Sequence, residues 1–228
     1  MEIWSGCPTS PTTCLKIPTS ALENSYLDIG IMLGPFSNCQ ATRDISMNTL
    51  MAIPPSKTTI GVMGSGSDMH EDLAKQIGRL LAKLEVNLLT GAGGGVMTSV
   101  SEAYTSSQRT RGVCIGIVPC TDKDHRDTPK DEYPNRFVEL PIYTHLPFSG
   151  KKGQDDLSRN HINILTSAAI VALPGGAGTA SEIELAIKYQ KPIVVFASNE
   201  SFLANFHQDV KRVFDIDQIK TFLEDYIQ

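Results

Sequence analysis

The stretch richest in chemistry is Pro174-Gly175-Gly176-Ala177-Gly178-Thr179-Ala180-Ser181-Glu182. Three of the four residues from Gly175 to Gly178 are glycines. Backbone N–H groups there have few side chains in the way. The apolar run Ala168 to Leu173 precedes the motif, and Ile183, Ala186 and Ile187 follow it at helical spacing. The order is therefore strand, glycine-rich turn, helix. A helix N-terminus carries partial positive charge and free amides, so this turn is a candidate anion site with phosphate as its usual occupant. Gly175, Gly176, Ala177, Gly178 and Thr179 are its candidate contacts. Glu182 lies one turn into the helix. It either complements the helix dipole or stands beside the phosphate, near a sugar hydroxyl or a scissile bond. Arg159 falls near the start of the preceding helical stretch, where the dipole disfavours a cation. It is either a surface arginine or a partner for phosphate or carboxylate.

These residues need a frame to hold them. Thr58 to Met63 is β-branched and apolar and reads as the first strand. Gly64, Ser65 and Gly66 follow it, and Asp68 with Glu71 has the form of a capping box. Leu73, Ile77, Leu80, Leu81 and Leu84 then form a 3.6-residue stripe. Val86 to Thr90 is a second strand, followed by Gly91-Ala92-Gly93-Gly94-Gly95-Val96-Met97 and a helix through Val100, Ala103 and Tyr104. Gly91, Gly93 and Gly94 join Gly64, Ser65 and Gly66 as candidate nucleotide-facing residues. Three such turns are expected to converge on one edge of a parallel sheet, where open α/β folds bind ligands.

Gly112 to Val118 is the third strand. A charged loop runs from Pro119 to about Pro134, then Phe137 to Leu140 is strand-like, with Ile142 and Tyr143 as an extension. A second loop spans Leu146 to Asp156. Both loops read either as covers for a site or as solvated insertions. Beyond the central motif come a strand at 191–196, a short segment at 201–206, an edge strand at 210–214, and a final helix capped by Asp215 or Asp217. The alternation predicts an α/β, Rossmann-like, doubly wound and mainly parallel sheet with helices on both faces. Residues 57–228 form that nucleotide-binding domain. Residues 1–56, rich in Ser, Thr and Pro, read as a poorly ordered arm, or as an over-called start preceding Met47 or Met51.

Composition bounds the partners. The chain is 41% hydrophobic and 20% charged, with a formal net charge of −5, as in a soluble globular protein. An acidic balance argues against non-specific nucleic-acid binding. No apolar run has the length of a membrane span, and the start lacks the pattern of a signal peptide. The five cysteines include no CxxC pair. An odd count without framework spacing fits a reducing cytoplasm. Cys114 reads as core and Cys120 as a loop residue. His125 and His145 have no second ligand at metal spacing, so no metal is expected.

The motifs PGGAGTASE (174–182) and GAGGGVM (91–97), with Arg159 at its spacing before the former, resemble the Lonely Guy proteins. Members are often labelled "possible lysine decarboxylase", and the wider group includes the molybdenum cofactor carrier proteins. The resemblance covers about residues 58–228. It implies a Rossmann-like homodimer or larger homo-oligomer that binds a phosphorylated small molecule. For the enzymatic members it implies cleavage of the N-glycosidic bond of a nucleoside 5′-monophosphate, with Arg159 and Glu182 catalytic and the glycine turn holding the phosphate. No cofactor is then required. The bound ligand would be an AMP-like nucleotide or, in the carrier branch, the molybdenum cofactor. The enzymes carry a Met-His-Glu-Arg-Lys-like run where this chain reads Asp156-Leu157-Ser158-Arg159-Asn160, and Arg159 to Asn163 looks more like the carrier branch. Lysine decarboxylation is not implied, because no lysine stands in a pyridoxal-phosphate context.

Overall fold

The computed structural model describes residues 54–199 and 210–227. The expected N-terminal arm up to residue 53 and the segment at 201–206 lie outside the described residues.

The chain alternates strand and helix as its periodicity predicts. Strand β1 (Thr59–Met63) leads to helix α1 (Glu71–Lys83), β2 (Asn87–Thr90) to α2 (Val96–Thr105), and then β3 (Cys114–Val118) and β4 (Leu140–Tyr143) follow. A 3₁₀ turn at Gly150–Lys152 precedes α3 (Asn160–Thr166), β5 (Ala169–Ala172), α4 (Ala177–Lys188), β6 (Ile193–Phe196), β7 (Lys211–Val213) and α5 (Ile216–Glu224). The seven strands form one sheet in the order β4-β3-β2-β1-β5-β6-β7. Every pairing is parallel. The chain winds outward from β1 through β4, then returns to place β5 on the other side of β1. That reversal makes β1 and β5 the topological switch point.

Burial explains why the inner strands read as apolar runs rather than alternating ones. All residues of β2, β3 and β5 are buried, because helices cover both faces. Ile60, Val62, Leu88 and Val171 point to one side, against Leu73, Ile77 and Leu81 of α1, Val100 and Tyr104 of α2, and Ile219 and Leu223 of α5. Met63, Leu89 and Ile170 point to the other, against Ile164 of α3 and Leu185 of α4. Edge strand β4, by contrast, is largely exposed. No helix among the described residues is long and apolar enough to cross a membrane.

Two local expectations change. The capping box is not formed. Helix α1 starts from His70 in the left-handed region, with no side-chain cap. Asp68 is used within the preceding turn instead, where its amide donates to Ser65 Oγ at 2.9 Å and Ser65 Oγ donates to its carboxylate at 3.2 Å. Serine hydroxyls one and three residues away compete for the groups a cap would use. The fourth strand starts at Leu140 rather than Phe137. The Asn135 amide donates to the Ala92 carbonyl at 2.8 Å, its Nδ2 donates to the Gly93 carbonyl at 3.0 Å, and its Oδ1 accepts from the Phe137 amide. Residues 135–138 are thereby strapped to the second glycine turn before pairing with β3 begins. Cys120 lies in the loop after β3, as expected, and both it and Cys114 are buried. The Cys114 thiol is pushed up to about 12 by burial, as suits a packing residue. At the last helix Asp215 is the cap, accepting from the Asp217 amide.

Tyr104 anchors α2 to the sheet. Its ring is fully buried and its hydroxyl donates to the Val86 carbonyl at 2.6 Å. Tyr104→Phe leaves that carbonyl short of a partner and should cost about 1–2 kcal/mol in urea unfolding. An unchanged midpoint would show the bond to be energetically silent.

Candidate functional site

The three glycine-rich turns follow β2, β1 and β5, which are neighbours in the sheet, so all three meet at one edge. They are bonded to each other. The Ser65 amide donates to the Pro174 carbonyl at 3.2 Å, and the Val96 amide donates to the Ser65 carbonyl at 2.9 Å. Gly95 takes φ of +59°, and a Cβ there would lie 2.4 Å from the Ser65 carbonyl oxygen. Only glycine suits both demands.

A cleft of ≈ 170 Å³ opens where the turns meet. Val62, Met63, Gly64, Gly66, Met97, Gly178, Arg159 and Glu182 line it, together with Tyr133 from the first loop and Ser149 and Gly150 from the second. Both loops therefore contribute to the cleft. Gly178 and Glu182 are four residues apart on α4, which puts them on one helix face. The amides of the first turn of α4 have no acceptor within the helix, and its dipole points positive into this region.

The other expected glycines serve the walls. A Cβ on Gly91 would strike the Arg159 guanidinium, 2.6 Å from Nη2. One on Gly93 would meet the Tyr133 hydroxyl at 2.6 Å, and one on Gly94 would lie 3.0 Å from the Gly66 carbonyl oxygen. At Gly175 it would lie 2.8 Å from the Ser65 amide nitrogen and collide with Thr179 Oγ1, whereas at Gly176 it would meet open space. Ala177 opens α4, and Thr179 is buried in its first turn. Ser65 is 6% exposed and spends its hydroxyl on Asp68 and Ser67.

Arg159 and Glu182 are both buried, at 4% and 8% exposure. Arg159 is no surface arginine. Its Nε and Nη1 have no hydrogen-bond partner. Its Cζ lies 5.8 Å from the centroid of the Tyr133 ring. Asn163 donates from Nδ2 to Glu182 Oε1 at 3.0 Å. Burial raises the Glu182 carboxyl above its ordinary value, while the nearby Arg159 charge and the Asn163 bond pull it back. The site thus holds a carboxyl disposed to keep a proton and a guanidinium with free donors. Among the described residues no group of three or more His, Cys, Asp and Glu side chains is placed to hold a metal ion.

Asn163, Tyr133, Met97 and the Ser149–Gly150 bend join the site without having been singled out in sequence. For Asn163 a signal existed, since it lies four residues after Arg159 on the same helical run. For Tyr133 none did, because its position depends on how a sixteen-residue loop folds back over another turn.

The raised Glu182 carboxyl links stability to pH. Below its ordinary value of 4.5, folded and unfolded states both hold the proton. Above it, the unfolded chain releases the proton first, so folded stability falls as pH climbs toward the raised value. Glu182→Gln removes that penalty and keeps the acceptor for Asn163. The variant should melt higher than the parent at neutral pH, with the gap closing as the pH is lowered toward about 4. A gap that stays constant across a melting series would mean that the carboxyl is not raised.

The fold and this cleft can be set beside known proteins. The SLOG cluster4 family model matches residues 57–223. A molybdenum cofactor binding protein from the phototrophic bacterium Rippkaea orientalis superposes with a TM-score of 0.54 at 28% identity, covering 74% of this chain and 96% of the other. The molybdenum cofactor carrier protein of Chlamydomonas reinhardtii gives a TM-score of 0.53 at 28% identity, covering 74% and 99%. An uncharacterized protein of Archaeoglobus fulgidus is 29% identical over 136 residues, which span 59% of this chain and 76% of that one. These likenesses agree with the Rossmann-like group that the glycine motifs resemble. With most of its length matched, the chain belongs to the SLOG cluster4 family.

Proposed function

We propose that the cleft binds a phosphorylated, nucleotide-like small molecule and hydrolyses the N-glycosidic bond of a nucleoside 5′-monophosphate. The observation that carries this reading is the pairing of two buried groups in one cleft at the start of α4. One is a carboxyl raised by burial, and the other a guanidinium with unpartnered donors.

In this reading the phosphate sits at the first turn of α4, against the amides following Gly176 and within reach of Arg159. The ribose then lies toward Glu182. Breaking the C1′–N bond builds positive charge on the ribose ring and negative charge on the departing base. A carboxyl whose hold on its proton is strengthened by burial supplies that proton to the base nitrogen, and the carboxylate left behind stabilises the ribose cation. Water adds to C1′ and loses a proton, giving free base and ribose 5-phosphate. Asn163 holds Oε1 and so fixes the carboxyl plane.

A second reading, a carrier of the molybdenum cofactor, is favoured by the two solved relatives at 28% identity, whose chains are covered almost end to end. One experiment separates the two. The full chain is incubated with AMP, GMP, CMP and UMP, and free base is sought by chromatography. Hydrolysis predicts base release, reduced by about 10²–10⁴ in kcat by Glu182→Gln. Release unaffected by that substitution would remove Glu182 from the mechanism. No release from any monophosphate, with binding of a pterin phosphate, would leave the carrier reading standing.

A further inference from the structure

We infer that Tyr133 is the wall against which a flat ring of the ligand packs, so that the cleft selects phosphate esters that also carry a planar heterocycle. This rests on the reading of the cleft as a site for a phosphorylated small molecule, and not on hydrolysis.

Tyr133 reaches the cleft from a lobe that is built rather than loose. The Lys130 amide donates to the Pro119 carbonyl, Thr121 and Thr128 are joined through their backbones, and Cys120 and Pro129 form an isolated bridge. At its far end Asn135 straps the lobe to Ala92 and Gly93. The ring therefore stands at a fixed place over the second glycine turn. Its hydroxyl occupies the space a Cβ on Gly93 would need, and the Met97 methyl lies 2.9 Å from the same point. Glycine at 93 is what admits the ring.

The ring is only half-buried, and it lines the cleft beside Met97. An aromatic face and a thioether form an apolar, polarisable surface suited to a flat π-system. Arg159, the donor for the phosphate, has its Cζ 5.8 Å from the ring centroid. One molecule with a phosphate at one end and a ring at the other touches both. A sugar phosphate without a ring reaches Arg159 but brings no flat group to the Tyr133 ring, which only the Arg159 and Lys130 cations then approach, at 5.8 and 5.9 Å from its centroid.

Titration calorimetry on the full chain with AMP, a pterin phosphate and ribose 5-phosphate tests this. At least one ring-bearing ligand should bind about tenfold or more tightly than ribose 5-phosphate. Tyr133→Ala should erase that preference while leaving ribose 5-phosphate affinity within about threefold, and Tyr133→Phe should keep it. Tyr133→Leu fills the space without an aromatic face, so it should also lose the preference even if the alanine variant misfolds. Equal binding of all three ligands, or equal weakening of all three in the leucine variant, overturns the inference and leaves the phosphate cleft intact. A preference that tyrosine's hydroxyl alone supports, lost in Tyr133→Phe, overturns it as well. No binding of any ligand removes both this inference and the phosphate reading. Failure of base release touches only the hydrolytic mechanism.

Discussion

The peptide units on either side of Ser65 hold the ligand edge of the sheet together. The Ser65 amide donates to Pro174 in the turn after β5, and its carbonyl accepts from Val96 in the turn after β2. The turn after β1 is thus pinned on both sides by main-chain bonds. Such bonds tolerate little displacement, and side chains would force the turns apart. Glycines at 64, 94, 95 and 175 are the result, each with a neighbouring turn or the side chain of Val96 or Thr179 in its Cβ space. Several glycines in these motifs therefore permit protein to approach protein. Gly64, Gly66 and Gly178 border the cleft, and a Cβ on Gly176 would meet open space.

On this rigid edge the protein places two groups that are costly to bury. A guanidinium with idle donors and a carboxyl cut off from water both lower stability unless something compensates. Gly91 gives Arg159 room to lie flat against the backbone, and Asn163 gives Glu182 one hydrogen bond. Neither provision satisfies the groups fully. These two under-satisfied groups in one cleft are what the proposed phosphate and sugar contacts rest on.

The loops finish what the sheet begins. The 149–153 bend lies over the start of α4, where Ser181 Oγ donates to the Gly178 carbonyl at 2.7 Å and accepts from Asn160 at 3.2 Å. The longer lobe brings Tyr133 across the second glycine turn. Both contribute to a site whose floor is Val62 and Met63 at the end of β1. A cleft of ≈ 170 Å³ is small for a whole nucleotide. On the proposed reading it takes the phosphate and sugar, with Tyr133 as the wall for the ring.

The sequence by itself determined the α/β alternation, the parallel sheet with both faces covered, and the three glycine turns, because each depends on spacing within a few residues. It also determined that Glu182 falls one turn into the helix that follows the third turn. Only the tertiary structure decided that Arg159 is buried against Gly91, that Asn163 holds Glu182, that Asp68 serves a turn instead of a cap, and that Tyr133 enters the cleft. Each of these joins segments through a crossover of the sheet or a fold of a long loop, or sets local hydrogen bonds in competition. Periodicity carries no record of which distant groups meet, since that is settled by strand order and by which backbones can approach closely enough to bond.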